Sequence, residues 1–388
     1  MLTPDYLDHC TDDVVDLYSE LENRIVADIA RRLLKTGYMT DTAAYQASIV
    51  QQSGLLYADV VQRVSKLSGL SAKQVRAMFE DAATACITGD NRIYIAAGKS
   101  PSVKLSPAAY ERLKAAVSKT AGDLQNLTMT TASSAQAAYI QAATQVEMQV
   151  SSGAFDYNTA FRMAVKQAAE AGCTVSYPSG HVDKLDVAIR RAGLTGVNQT
   201  AAEISLMHAD DMECDLVETT AHSGARPTHA IWQGRVFSRS GRNGDYDDFE
   251  SATGYGTGAG LCGWNCRHNF FPYFEGLSSS AYPRDAINRK NNAKISYDGD
   301  EYSYYDATQI QRSMERKIRA TKREMTAYDA AGQREDFASA ASKLKAQREK
   351  LNDFCKETGL LRQDEREQVL GYSHSQATKA AWAARRTE

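Results

Sequence analysis

The chain has 388 residues, and its 45 Lys and Arg nearly balance its 48 Asp and Glu, for a formal net charge of −3. This balance argues against a uniformly basic nucleic-acid condenser and against an acidic disordered tail. A hydrophobic content of 43% and a charged content of 24% are typical of a folded globular protein, and the length suggests two or three domains.

Several classes of protein are disfavoured by simple features of the sequence. No apolar run is long enough to predict a membrane segment, and the polar, acidic start is not typical of a secretory signal. The seven cysteines are an odd number and mostly isolated, which argues against a disulfide framework and favours synthesis in a reducing cytosol.

The charge is unevenly distributed along the chain. Residues 1–171 carry a net −2, residues 172–283 a net −5 and residues 284–388 a net +4. We therefore expect the C-terminal part to present a different kind of surface from the acidic middle.

The first 171 residues predict a helical docking domain. Apolar residues from Val14 to Leu33 recur at three- and four-residue spacing, and this helix should end near Gly37. Further helix ends are predicted at a capping box of Ser71 and Gln74, at Ser106-Pro107, and at Asp156 and Gly172. An Ala-rich stretch from Thr131 to Val150 is a strong helix former.

Residues 172–305 predict a small α+β core. Four segments favour strands, namely Cys173–Tyr177, Leu216–Thr220, Arg235–Phe237 and His268–Phe271. Asp183–Ala192 and Thr200–Asp211 favour helices, and Asp298-Gly299 predicts a β-hairpin near 294–305.

The sequence between His222 and Gly276 shows no helical period. The Gly254–Gly260 run predicts a flexible loop or a chain of tight turns, because no Gly-Lys-Ser/Thr of a phosphate-binding loop follows it.

Residues 306–388 predict a basic helical hairpin and a C-terminal tail. Two apolar faces are separated at Ala331-Gly332, Gly359 ends the second helix, and the tail from Thr378 is expected to fray or to contact a partner. The fold class expected for the whole chain is α+β, mainly α.

The densest polar cluster predicts a zinc site. His222, His229, Cys266 and His268 are the candidate ligands, and Cys262 is a fifth. Zinc favours four nitrogen or sulfur ligands in a tetrahedron, although these spacings are not those of a familiar zinc finger. One alternative is a structural knot in which these side chains and two arginines tie irregular loops together. Another is a nucleophile–base pair of Cys266 and His229.

A second candidate site is a basic helix. The cationic residues that crowd it are Arg312, Arg316, Lys317, Arg319, Lys322 and Arg323. Such a face could neutralise the phosphates of DNA or bind an acidic protein. The alternative is a solvated helix face with local ion pairs.

Two strings in the acidic middle resemble the hallmark of tailed-phage minor capsid proteins. They run from Gly224 through Arg226-Pro-Thr-His229 to Phe237, and from Gly254 to Arg267-His268. More narrowly, the chain resembles the phage minor capsid protein 2 family, which is related to the Mu F-like head morphogenesis proteins. The motif core of the resemblance contains Arg226, Trp232, Gly234, Asn265 and Arg267.

The resemblance implies a minor head protein that is a structural part of the virion rather than an enzyme. Such a protein is assembled in the host cytoplasm, lies inside the capsid near the portal, binds the portal protein and assists head assembly and DNA packaging or ejection. Major capsid or scaffolding protein and packaged DNA, bound without sequence preference, are further expected partners. No catalytic residue is implied, and after the helical hairpin we expect no room for an appended toxin domain.

Two other functions remain open at this point. The first is a metal-dependent enzyme, a hydrolase or transferase carried in the virion, that would use the zinc-site residues with Arg226. The second is a general nucleic-acid-binding protein, which the net charge of −3 and the lack of a recognised binding motif disfavour.

Overall fold

The structure, a computed structural model, describes residues 1–37, 39, 41–177, 179–372 and 374–386. The protein is 67% helical with a few small antiparallel sheets, so the expected α+β, mainly α class is confirmed. No described helix combines the length and the apolar character that a membrane span requires.

Within the described residues the chain forms twelve α-helices and one short 3₁₀ helix. In chain order the α-helices are α1 Pro4–His9, α2 Asp12–Thr36, α3 Thr42–Ala96, α4 Pro107–Ser151, α5 Tyr157–Ala171, α6 Leu185–Asp211, α7 Pro227–Ala230, α8 Phe249–Thr253, α9 Arg284–Asn291, α10 Tyr304–Ala330, α11 Arg334–Thr358 and α12 His374–Arg386. The 3₁₀ helix, Asp364–Glu367, lies between α11 and α12.

Seven short strands form three antiparallel sheets in the described part of the chain. They are β1 Thr174–Ser176, β2 Val182–Lys184, β3 Leu216–Thr219, β4 Val236–Ser238, β5 Phe270–Pro272, β6 Lys294–Tyr297 and β7 Asp300–Ser303. β1 pairs with β2, β6 pairs with β7, and the three-stranded sheet has the order β4-β3-β5. The four strand-forming segments and the hairpin predicted from the sequence are thus all present, with ends shifted by one or two residues.

The chain divides into two compact units, each built from three separate segments. Unit 1 contains Met1–Val14, Leu70–Leu124 and Arg190–Gln309, and unit 2 contains Val15–Gly69, Gln125–Ile189 and Ile310–Glu388. Unit 1 holds the three-stranded sheet, and unit 2 holds α10 from Ile310 onward together with α11 and α12. The three-part division 1–171, 172–305 and 306–388 stays a prediction.

Several helix ends lie where local sequence signals place them. The Ser106 hydroxyl accepts the Ala109 N–H at 3.3 Å at the start of α4, and the Asp156 carboxylate accepts the Thr159 N–H at 3.1 Å at the start of α5. Gly172 follows α5 with φ +59°, a conformation that glycine adopts without strain. These signals act over three or four residues, so they do not depend on the rest of the fold.

The capping box predicted at Ser71 is wrong, because α3 continues through that position. Ser71 is buried in the helix interior, on the face that also buries Val64 and Val75. The periodic apolar face of α3 runs unbroken past the Ser-x-x-Gln pattern. Burial of this face outweighs a hydroxyl that could otherwise have started a new helix.

The two helices predicted over Asp183–Ala192 and Thr200–Asp211 are a single helix, α6. Two glycines, Gly193 and Gly196, lie in it between the two predicted segments. A Cβ atom at Gly196 would lie 2.6 Å from the Thr120 hydroxyl oxygen, and one at Gly193 would lie 3.1 Å from the Thr11 methyl carbon. These glycines allow close packing of α6 against its neighbours in unit 1, which offsets their low helix propensity.

The C-terminal part contains the predicted helical hairpin, α10 and α11. Gly332, with φ +70°, lies in the connection, and Gly359, with φ +70°, ends α11. Within the described residues the tail from Thr378 is part of α12, as far as Arg386.

We expect Gly196→Ala to destabilise the protein by about 1–3 kcal/mol, because the added methyl group overpacks the contact with Thr120. Gly69→Ala is the matched control, since Gly69 is also inside a helix but a Cβ atom there has open space. The control should stabilise the protein by up to about 1 kcal/mol through helix propensity. Urea unfolding measured by circular dichroism distinguishes the two, and a stabilising Gly196→Ala would contradict the close packing.

Candidate metal centre

The motif strings lie around the three-stranded sheet of unit 1. In the central strand β3, Val217 is paired with Phe237 of β4 and with Pro272 of β5. Val217 and Phe237 belong to one buried apolar cluster, which also contains Trp232, Phe249, Leu261, Cys262, Cys266 and Phe270. Side chains that reach this core from the connecting segments are therefore held by packing as well as by hydrogen bonds.

His229 reaches the core from the connection between β3 and β4. That connection contains α7, a single helical turn with Pro227 at its first position, where the missing proline N–H has no intrahelical partner to lose. The His229 ring lies 4.7 Å from the Trp232 ring. A turn this short has no measurable period, which is why the sequence did not predict it.

Cys266 and His268 follow the glycine-rich segment 254–263, which is a chain of tight turns. The Thr257 N–H donates to the Gly254 carbonyl and the Leu261 N–H to the Thr253 carbonyl, each at 3.0 Å. A Cβ atom on Gly260 would overlap the Gly254 carbonyl group. Of the two structures expected for this segment, the tight turns are present.

Three of the predicted ligands converge in the core. The Cys266 Sγ atom lies 3.8 Å from His229 Nδ1 and 3.7 Å from His268 Nδ1. The three ligand atoms all lie within 4.8 Å of one another. We call His229, Cys266 and His268 the His2Cys cluster.

The other two predicted ligands lie beside this cluster but outside it. The His222 ring stacks on the His268 ring with centroids 4.4 Å apart, and its Nδ1 lies 2.9 Å from the Ser223 carbonyl oxygen. The Cys262 thiol is 3.6 Å from the His268 carbonyl oxygen, to which it donates. Neither residue shares the close spacing of the three cluster atoms.

Hydrogen bonds fix the tautomers of both cluster histidines. His229 Nε2 lies 2.8 Å from the Ala259 carbonyl oxygen, which can only accept, so this nitrogen carries the proton. The Gln233 Oε1 atom accepts the His222 N–H at 3.1 Å and lies 3.0 Å from His268 Nε2, which must therefore also be a donor. Both rings thus direct an unprotonated Nδ1 toward the Cys266 sulfur.

Burial keeps the His2Cys cluster neutral. It lowers the pKa of His229, and it lowers the pKa of His268 well below the ordinary value, with His222 and His229 adding to the effect. Burial also raises the pKa of the Cys266 thiol. This favours the unreactive thiol over the thiolate that a nucleophilic Cys266–His229 pair would need.

The motif-core residues make structural contacts around the cluster. The Arg226 guanidinium donates to the Trp264 carbonyl at 2.9 Å, Arg267 pairs with Asp8 at 3.0 Å, and Trp232 is buried against both cluster histidines. Gly234, with φ +63°, has no space for a Cβ atom beside Ile287, and Asn265 adopts a φ of +52°. Contacts of this kind are expected for the alternative in which the polar side chains and two arginines hold irregular loops together.

Sequence reasoning missed two residues that organise the site. Asn198 on α6 donates to the carbonyls of Cys266 and His268 at 3.0 and 2.9 Å. Gln233, which orients His268, is buried with it. Gln233 stands in the first of the two motif strings, but His268 is 35 residues away from it, and the two carbonyl partners of Asn198 are 68 and 70 residues away, so only the fold brings these groups together.

The six cations of the basic helix, now part of α10, do not form one exposed face. Arg316 and Lys317 are exposed, whereas Arg323 is buried with its guanidinium 3.3 Å from the Glu22 carboxylate. Arg319 pairs with Asp186 at 3.1 Å, and Lys322 donates to the Glu367 carbonyl at 2.7 Å. Burial lowers the pKa of Lys322 to about 8. Arg312 is half-buried.

The chain belongs to the phage minor capsid protein 2 family, whose sequence model matches residues 2–356. The match includes the His2Cys cluster and every element from α1 to α10. A search of solved structures finds no significant match.

Two curated relatives are phage proteins named "structural protein". The protein of Lactococcus phage LL-H is 28% identical over 194 residues, which are 48% of this chain and 49% of that protein. The protein of Lactococcus phage mv4 is 32% identical over 118 residues, 30% of this chain and 86% of that protein. The chain thus spans about half the length of the phage LL-H relative. Together with the family, these relatives define a phage structural protein, a component of the virion.

Arg323→Ala should destabilise the protein by about 3 kcal/mol at neutral pH, because it leaves the Glu22 carboxylate buried without its partner. Burial already raises the pKa of Glu22, and Arg323 opposes this. Without Arg323 the folded state binds a proton more tightly than the unfolded state, so the destabilisation should grow as pH rises above about 4.3, the ordinary Glu pKa.

Urea unfolding of Arg323→Ala at pH 5 and pH 8 measures this effect. Arg316→Ala is the matched control from the exposed side of α10 and should change stability by no more than about 0.5 kcal/mol. Equal, pH-independent losses in both variants would show that the buried pair has no special role.

Proposed function

We propose that this protein is a minor head protein that binds the phage portal inside the procapsid and assists head assembly and DNA packaging or ejection. The family match and the two phage structural relatives support a role in the head. The portal-binding role is supported by one feature of unit 2, an exposed helix face without charge.

That face lies on the C-terminal half of α4. Residues 124–146 contain no Asp, Glu, Lys, Arg or His, although 24% of the whole chain is charged. The exposed side chains among these residues lie on less than half of the helix circumference. They are Gln125, Asn126, Met129, Thr130, Ser133, Ala137, Ile140 and Gln141. We name these eight residues the α4 face.

The composition of the α4 face is that of a protein-binding surface. The cores of protein interfaces are depleted of charge and enriched in methionine, whereas solvent-exposed helix faces are usually rich in charged residues. An uncharged face would not bind DNA, whose affinity for proteins comes from phosphate neutralisation. The α4 face is therefore suited to a protein partner, and the portal is the partner that we propose.

The exposed cations of α10 support a second, weaker contact with packaged DNA. Arg316 and Lys317 could neutralise phosphates without reading sequence, and such binding would fall steeply with salt. Arg319, Lys322 and Arg323 are committed to contacts inside unit 2, so we assign them no direct part in DNA binding.

Ala137→Glu should abolish or strongly weaken association with the portal while the protein stays folded, because it places a charge in the middle of the α4 face. Ala346→Glu is the matched control: it makes the same change at an exposed alanine of α11, where Lys345, Arg348, Glu349 and Lys350 already make the surface charged. Both variants should retain the helical circular dichroism of the unchanged protein.

The measurement is co-purification with co-expressed portal protein, together with the number of copies incorporated per particle. Loss in Ala137→Glu with retention in Ala346→Glu supports the proposal. Normal portal association of Ala137→Glu contradicts it. If that variant instead loses binding to major capsid or scaffolding protein, the α4 face is a docking surface but the proposed partner is wrong.

A further inference from the structure

We propose that the His2Cys cluster binds one zinc ion through His229 Nδ1, His268 Nδ1 and Cys266 Sγ, and that this ion cross-links the connections around the three-stranded sheet. The proposal goes beyond the portal-binding role and does not depend on it. It is carried by the spacing of the ligand atoms, by a mismatch of hydrogen-bond donors and acceptors, and by the outer hydrogen bonds of the histidines.

The spacing agrees with a tetrahedral ion. With usual zinc–nitrogen and zinc–sulfur bond lengths, a nitrogen and a sulfur ligand on a tetrahedron lie about 3.6 Å apart. The corresponding distances in the cluster are 3.8 and 3.7 Å, from the Cys266 sulfur to the two Nδ1 atoms. The two sulfur–nitrogen separations therefore need little change, whereas the two nitrogens, which lie within 4.8 Å of each other, would close toward about 3.3 Å around an ion.

The proton count of the cluster also points to a cation. Both Nδ1 atoms are acceptors, because each ring carries its proton on Nε2. A cysteine thiol has a single proton and can donate to only one of them. In the absence of an ion, one buried imidazole lone pair at this point therefore receives no hydrogen bond from Cys266, which costs free energy. A divalent cation bound by the thiolate satisfies both nitrogens at once.

The surroundings provide the outer hydrogen bonds that metal-binding histidines need. Ligating histidines usually donate their second ring N–H to a carbonyl or carboxylate group, which fixes the tautomer and the ring orientation. Here His229 donates to the Ala259 carbonyl and His268 to the Gln233 side-chain oxygen. Asn198 holds the carbonyls on both sides of the Cys-x-His segment, which further limits movement of the ligands.

The burial of the ligands indicates a structural ion. His229, Cys266 and His268 are each no more than 2% exposed. Mixed cysteine and histidine ligands occur in structural and in catalytic zinc sites, and three protein ligands leave one tetrahedral position for a further ligand, so it is the burial that assigns this ion a structural role. The ion would join the β3–β4 connection, which carries His229, to the segment before β5, which carries the other two ligands.

The first test is the zinc content of the full-length protein, purified under reducing conditions without chelator. We expect about one zinc per chain, and at least a tenfold loss in Cys266→Ser and in His229→Gln. Glutamine can still donate to the Ala259 carbonyl but lacks the Nδ1 ligand. Cys214→Ser is the matched control, because Cys214 is another buried cysteine of unit 1, with its thiol bonded to the Leu216 carbonyl. It should keep its zinc.

The second test uses the unchanged protein, so its result does not depend on the folding of a variant. Zinc is removed from the unchanged protein with a chelator, and Co²⁺ is added. We expect the visible absorption bands of tetrahedral cobalt and a thiolate-to-metal charge-transfer band, both displaced by zinc. Chelation should also lower Tm by about 5 °C or more, and zinc should restore it.

The proposal is overturned by purified protein that neither contains zinc nor takes up zinc or cobalt after chelation. It is equally overturned by full zinc content in folded Cys266→Ser and His229→Gln. Stoichiometric copper in place of zinc would overturn the identity of the ion. None of these outcomes bears on portal binding, which the Ala137→Glu experiment tests separately.

Discussion

The core of unit 1 contains buried backbone that is neither helix nor strand, and its polar groups need hydrogen-bond partners. The segment before β5 enters the core without a neighbouring strand, so its carbonyl groups need other donors. Asn198, fully buried on α6, donates to two of them, and its own carbonyl oxygen accepts from the Asn269 side chain at 2.8 Å. The Asn269 N–H in turn donates to the Thr220 hydroxyl at 2.9 Å. One side chain of a helix thus secures the segment that carries Cys266 and His268.

This anchoring explains why so many polar residues can be buried around a small sheet. The glycines of 254–263 allow backbone to approach backbone, and the histidine rings pack against Trp232 while their Nε2 protons are bonded to oxygen atoms. Most of this buried polar network is satisfied, but Gln233 Nε2 has no hydrogen-bond partner, and the single Cys266 thiol proton can serve only one of the two unprotonated nitrogens beside it. The second of these mismatches lies where the proposed ion would bind.

Local signals predicted the fold better than they predicted the site. Caps at Ser106 and Asp156, the hairpin turn at Asp298-Gly299 and the break at Gly332 act over a few residues, and all are confirmed. The capping box at Ser71 and the separation of α6 into two helices were wrong because the deciding contacts are tertiary: Ser71 is buried in a continuous helix face, and Gly196, between the two predicted segments, lies in a helix contact. The spacing of histidines and cysteines could suggest four ligands, but it could not select three of them or find the distant residues that orient them.

The net charge of a sequence region likewise does not show which charges are exposed on the protein surface. The net positive charge of residues 284–388 comes partly from Arg319, Lys322 and Arg323 on α10. These side chains bind Asp186, the Glu367 carbonyl and Glu22 within unit 2. A cation bound in this way holds the unit together and contributes little to the binding of an external phosphate. The α4 face has the opposite property: its lack of charge was visible in the sequence as an Ala-rich helix, but only exposure of its side chains distinguishes a docking surface from a buried core helix. Docking of this protein is therefore better sought on its uncharged surface than on its basic helix.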